Sequence, residues 1–173
     1  MSNSGSGSTA AELAPWLEQV VALLSSMTTR YALMGGGAVM LHGRRARTRD
    51  VDFIVALDEP QFDALLARAV ERGLQAERKS SWHMRVRRDG AVYADVVLAD
   101  APILVDAVQS AVPRSFCGTM VPVISAEHLI ALKVLAGRPR DLRDVADIVE
   151  TQPALNVAKV QRLLADFDVE WTP

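Results

Sequence analysis

Residues 33–55 read LMGGGAVMLHGRRARTRDVDFIV, an apolar run that stops at three glycines and resumes, after an arginine-rich turn, in alternating acidic and apolar residues. In a strand, residues two apart face the same way, so Asp50 and Asp52 present their carboxylates side by side while Val51, Phe53 and Val55 turn to the opposite face. Two anions that close repel each other. A divalent cation held between them converts the repulsion into binding, which makes the pair a candidate metal site rather than a structural device. Upstream, Gly35 and Gly36 follow a short buried strand, Tyr31 to Met34, and open a short helix over Ala38 to His42. Glycine at such a turn lets backbone N–H groups approach an anion where the helix dipole favours negative charge. A tight strand-to-helix turn would use the same residues, and Gly37 is the least suited of the three to touch a ligand.

Outward from this stretch, the pattern predicts a helix from Thr9, as N-cap, to about Met27, with Leu13, Leu17, Val20, Val21 and Leu24 at helical spacing. Asp50 to Ala56 alternates as a half-buried strand, and Glu59 to Arg72 is an amphipathic helix opened by Pro60. Strands follow around Leu74 to Glu77, Met84 to Arg88 and Ala91 to Leu98, the last two joined as a hairpin through Asp89-Gly90. Ala101 to Ser110 reads as a short helix and Thr119 to Ile124 as a strand that Pro122 places at an edge or an end. Ser125 caps a helix to Ala136, Asp141 caps another to about Glu150, and a last helix covers Asn156 to Phe167. The fold class expected is α/β (α+β): a mixed sheet flanked by helices, with a helical C-terminal third. Residues 1–8 read as a disordered tail and 9–173 as one domain, with its core at 28–124 and the C-terminal helices at 125–168.

A further acid, Asp95, lies in the strand-like YADVV. If that strand runs beside the first, Asp95 completes a cluster of three carboxylates; otherwise it is a solvated residue or one paired with an arginine. Three carboxylates beside a phosphate-binding turn are what phosphoryl-type transfer needs, because magnesium held there neutralises the nucleotide and lowers the pKa of the attacking hydroxyl. Four arginines fall within residues 44–49. Of these, Arg47 is the one placed to reach a triphosphate, although a solvated turn is the plainer reading. His42 and His83 have no partner at metal-ligand spacing and are read as structural.

Composition narrows the rest. The net charge of −2 and half-hydrophobic composition match an ordinary globular protein, and low basicity weighs against a large nucleic-acid footprint. A lone cysteine, Cys117, forms no intrachain disulfide and suits a reducing compartment. The first residues carry neither a basic n-region nor an apolar stretch, and no run is long enough to span a bilayer, so a cytoplasmic protein is expected.

With thirteen residues between Gly36 and Asp50, Met34-Gly35-Gly36 and Asp50-Val51-Asp52 resemble the signature of the nucleotidyltransferase superfamily. The wording GGGAVMLHG, RTRDVDFIV and LIALKVLAGRPRDLRDVADI is similar to its minimal branch, which includes the AbiEii-type toxins, and the likeness covers roughly residues 30–150. The resemblance implies an Mg2+-dependent enzyme moving a nucleoside monophosphate from an NTP to a hydroxyl. Asp50, Asp52 and Asp95 would hold metal, and Gly35 and Gly36 the phosphates. It further implies that Lys133 and Asp144, from the C-terminal helices, line the site. Lys133 is the only charge in LIALKVLA and shares a helix stripe with Leu129 and Ile130, so it projects toward the protein body; a salt bridge to Asp144 would account for it equally. The acceptor implied is either RNA, typically a tRNA end, with an antitoxin protein as partner, or a small molecule, as for the aminoglycoside-type adenylyltransferases. A non-catalytic nucleotide-binding member of the fold is the alternative outside catalysis.

Overall fold

The computed structural model describes residues 10–27, 30–43, 48, 50–88 and 92–173. Seven strands among them form one mixed sheet in the order β3-β4-β5-β2-β1-β7-β6. Its centre is β2 (Asp50–Val55), which pairs antiparallel with β1 (Tyr31–Met34) and parallel with β5 (Tyr93–Leu98). On one side β4 (His83–Arg87) and β3 (Gln75–Arg78) continue the sheet antiparallel; on the other, β7 (Thr119–Val123) runs parallel to β1 and carries β6 (Val112–Phe116) at the edge.

The alternation in β2 explains its place. Val51, Phe53 and Val55 are fully buried on one face, and each such side chain removed from water contributes about 1.5–3 kcal/mol. Asp50 and Asp52 lie on the other face with the register neighbours Tyr93 and Asp95 of β5. A one-residue slip would bury the acids and expose the apolar set, so the hydrophobic pattern itself pins the carboxylates in position.

Helices cover the sheet. Helix α1 (Ala10–Ser25) buries Leu13, Leu17, Val20 and Leu24, the stripe expected from spacing; the expected cap Thr9 and the tail before it lie outside the described residues. Helix α2 (Gly35–His42) starts at Gly35 itself, three residues earlier than anticipated, because Gly35 at φ +57° makes the turn out of β1 without an intervening loop. Helix α3 (Glu59–Glu71) opens with a capping box in which Asp58 and Gln61 exchange side-chain and backbone hydrogen bonds. Helix α4 (Pro102–Gln109) lies against β1 and β2. In the C-terminal third, α5 (Ala126–Ala136) is capped by Ser125, as expected, and packs on α6 (Pro139–Thr151) and α7 (Val157–Ala165).

Two expectations need correction. Asp141 does not cap α6: Arg138 is the N-cap residue and Pro139, whose fixed φ suits a first helical turn, starts the helix, which frees the Asp141 side chain to turn inward. Strand β6 was not anticipated, since four of its five residues are exposed and Pro113 interrupts it. It is joined to β7 by Cys117-Gly118, both at positive φ, the turn geometry that matches strand twist in a two-residue hairpin. No helix among the described residues is long and apolar enough to cross a membrane.

Candidate active site

Three carboxylates meet where β2 and β5 lie side by side. Asp52 pairs in register with Asp95 and with Met34, the last residue before the glycine turn. One oxygen from each of Asp50, Asp52 and Asp95 falls within 4.8 Å of the other two. All three are half-buried, so their repulsion is poorly screened. Asp52 shows the consequence: burial, then the neighbouring charges of Asp50 and Asp95, push its carboxyl up to about 7, against the smaller opposing pull of the Gly36 N–H and Lys133. A cluster of hard oxygen donors whose full ionisation is costly without a cation fits a magnesium-type ion.

The glycine turn touches this cluster. Gly36 N–H donates to Asp52 Oδ2 at 3.3 Å. A Cβ at Gly35 would lie 2.0 Å from the same oxygen, so only glycine permits both the positive φ and the approach of the turn to the carboxylate. Gly37 serves packing: a Cβ there would press on Leu33 at 3.1 Å and on Phe116 at 3.3 Å.

Each acid is also held from outside. Thr48 Oγ1, itself buried, donates to Asp50 Oδ1 at 3.0 Å, and Asp50 hydrogen-bonds Tyr93, whose hydroxyl is pushed up to about 12 by that bond and by burial. Asp95 takes a bidentate pair from Arg85, Nε to Oδ1 and Nη2 to Oδ2, both 2.8 Å, and His83 Nε2 lies 2.8 Å from Oδ1. Burial would raise the Asp95 carboxyl, but the bonds from Arg85 and His83 outweigh it and keep it below its ordinary value. Arg85 in turn lies over the Tyr93 ring, 4.0 Å from its centroid. Thus His83, read from sequence as structural, supports a site carboxylate together with Arg85, which sequence reasoning passed over. The signal was present in HMRVR, whose alternation places His83 and Arg85 on one face.

Lys133 enters from α5. Only 8% exposed, its ammonium donates to Asp141 Oδ1 at 2.9 Å and to Asp144 Oδ2 at 2.7 Å, while Arg138 also bonds Asp141. Burial would raise Asp141, but Arg138 and Lys133 together hold it below the usual carboxylate range. Two of the three ammonium donors are thereby used among the described residues, and the Lys133 charge still acts on Asp52. Asp144 meets the lysine and is not part of the cavity wall, whereas Asp141, Lys133, Arg138 and Arg140 are. Arg47 lies outside the described residues. His42 donates from Nε2 to the Ile124 carbonyl at 2.8 Å, far from the acids in role.

These groups face one cavity of about 640 Å³, walled by the glycine turn, the acids of β2 and β5, and the α5–α6 corner. Its size is that of a site for a nucleotide-sized ligand. It combines a metal-type carboxylate cluster, a glycine turn and four cations, Arg85, Lys133, Arg138 and Arg140, the set that phosphoryl-group chemistry uses.

No protein-family model matches the chain, and no curated protein matches it. Solved structures do. An antigenic nucleotidyltransferase-like protein from Paracoccidioides brasiliensis superposes with a TM-score of 0.61 at 21% identity, over 94% of this chain and 89% of that one. The antibiotic-resistance factor ANT(2'')-Ia gives 0.64 at 16% identity over 92% of each chain. The lincosamide antibiotic adenylyltransferase LnuA, in its lincomycin-bound structure, gives 0.55 at 18% identity over 78% of this chain and 95% of that one. With its glycine turn and three-acid cluster carried on the shared sheet, this chain has the nucleotidyltransferase fold.

Proposed function

We propose that the protein transfers a nucleoside monophosphate from an NTP to a hydroxyl of a small-molecule acceptor, with pyrophosphate leaving. The observation that carries this reading is the convergence of Asp50, Asp52 and Asp95 within 4.8 Å, beside a glycine turn that can exist only because residue 35 lacks a side chain. Asp50, Asp52 and Asp95 are the residues to hold magnesium, which when bound neutralises the triphosphate and acidifies the acceptor hydroxyl.

The chain's own groups supply the rest. Gly35 and Gly36, at the start of α2, let the backbone come close to the phosphate oxygens; Lys133, braced by Asp141 and Asp144, adds a positive charge on the opposite wall. Arg47, from the arginine-rich stretch of the sequence, is a further candidate for the triphosphate. Asp95 lies one strand beyond Asp52 from the glycine turn. It is kept ionised by Arg85 and His83, so it orients the acceptor hydroxyl and receives its proton as the oxygen attacks the α-phosphorus and the bond to pyrophosphate breaks.

A small acceptor is favoured because the similar structures include LnuA with lincomycin and ANT(2'')-Ia with adenylyl-2''-tobramycin. The test is incubation with each α-labelled NTP, Mg2+ and separate panels of hydroxyl-bearing small molecules and total RNA, beside Asp52→Ala. Label on a small molecule, lost in the variant, supports the proposal. Label on RNA transfers it to the toxin-type alternative with an antitoxin partner, and label that survives in Asp52→Ala contradicts the site.

A further inference from the structure

The wall of the cavity beyond Asp95 has a chemistry that the transfer reaction alone does not require. Trp82, immediately before β4, is 46% exposed and yet lines the cavity, and its indole is stacked on His83 at 5.8 Å between centroids and 24° between planes. Since His83 is fixed by Asp95, the indole is braced in place rather than free on the surface. Val97 of β5 and Leu104 of α4 continue this wall with apolar surface. An exposed, braced indole is costly to leave in water and suits a planar ring or the apolar face of a sugar.

The charges point the same way. Among the described residues, Asp95 is paired with Arg85 and Asp141 with Lys133 and Arg138, while Asp50 and Asp52 are the acids assigned above to the metal. Arg138 and Arg140 also line the cavity. With the metal on Asp50 and Asp52, a polyamine acceptor would bring several ammonium groups into a space whose acids are already matched by cations and which these two guanidinium groups also line, a combination of desolvation cost and like-charge repulsion.

We infer that the acceptor is a hydroxyl-bearing molecule with a flat aromatic or apolar face and little positive charge, stacked on Trp82, and that the wall rejects polyamino sugars. This rests on the transfer reading above, in which the acceptor occupies the Asp95 side and the nucleotide the glycine side.

The test separates the two. With the full chain, Mg2+ and a saturating non-hydrolysable ATP analogue to fill the nucleotide site, titrate p-nitrophenyl β-galactoside, a neutral aryl glycoside, and in parallel tobramycin, both by calorimetry. The expected result is saturable binding of the glycoside, at least tenfold weaker in Trp82→Ala, with analogue affinity within twofold of the parent and Trp82→Phe retaining most of the glycoside binding. Tobramycin is expected to bind at least tenfold more weakly than the glycoside. Tighter tobramycin binding, no glycoside binding, or a Trp82→Ala defect confined to the ATP analogue would overturn the inference. Failure of the parent chain to bind the analogue with Mg2+ would instead overturn the nucleotide reading, and the glycoside titration without analogue would still judge the wall.

Discussion

A Cβ placed on Gly35 would meet Asp52 Oδ2 at 2.0 Å, well inside van der Waals contact. The glycine turn and the central metal-type carboxylate are therefore one fitted unit, and a methyl group at residue 35 must either displace Asp52 or distort the start of α2.

Gly35→Ala is predicted to lose transfer activity by at least about 100-fold, the scale seen when reacting groups are misplaced by about an ångström. The positive φ adds strain of about 1–3 kcal/mol. Steady-state kinetics and urea unfolding measure the two effects; a Gly35→Ala protein with near-parent activity would mean that the turn does not set the carboxylate.

Asp52→Asn is predicted to stabilise the metal-free protein while abolishing activity. Folding raises this carboxyl from 3.8 to about 7, so the folded state holds the proton more tightly, and the contribution to stability present below pH 4 is lost as pH rises toward 7. Removing the charge recovers stability on the order of a few kcal/mol at pH 8. Melting in EDTA should show the variant above the parent, and added Mg2+ should raise the parent and not the variant.

Arg85→Met is predicted to raise the divalent-ion concentration for half-maximal activity by about 10–100-fold, the usual effect of removing a group that orients a metal-binding residue. Arg85→Lys should recover little, because the bidentate pair with Asp95 needs the guanidinium fork. An unchanged metal requirement in both would show that Asp95 needs no positioning.

Lys133→Met leaves Asp141 and Asp144 partly uncompensated in a buried place and is predicted to cost about 3–5 kcal/mol. Adding Asp144→Asn should recover part of that stability but none of the activity. Recovery of both would make the lysine a purely structural ion-pair partner.

In the Asp52→Asn background, where the opposing contribution of that raised carboxyl is absent, stability is predicted to fall as pH drops from 7 to 5. His42 and His128 are both lowered from 6.5, chiefly by burial, so the unfolded chain takes up protons in that range that the folded protein refuses. Urea midpoints at the two pH values, with His42→Gln reducing the difference, check it.

The sequence made the central strand legible because alternation and register are coupled: acids at 50 and 52 and apolar residues at 51, 53 and 55 admit one burial pattern. Strand β6 was not legible, since an exposed edge strand containing Pro113 has no hydrophobic period and the turn Cys117-Gly118 is not a common hairpin pair. The support of Asp95 was half legible. The expected Asp89-Gly90 turn lies outside the described residues, and the register that follows it, which the sequence pattern does not fix, is what places Arg85 opposite Asp95 on the site face. The Lys133–Asp144 pair is legible as a salt bridge, whereas an aspartate two residues after Pro139 has the pattern of a cap until the proline itself is seen to start the helix.

The most direct measurement is Mn2+ binding followed by electron paramagnetic resonance on the full chain with a non-hydrolysable ATP analogue. Stoichiometric Mn2+ bound beside the nucleotide in the parent, and lost in Asp50→Asn and Asp52→Asn with folding intact, is the predicted result. Equal Mn2+ binding in parent and variants would contradict the account.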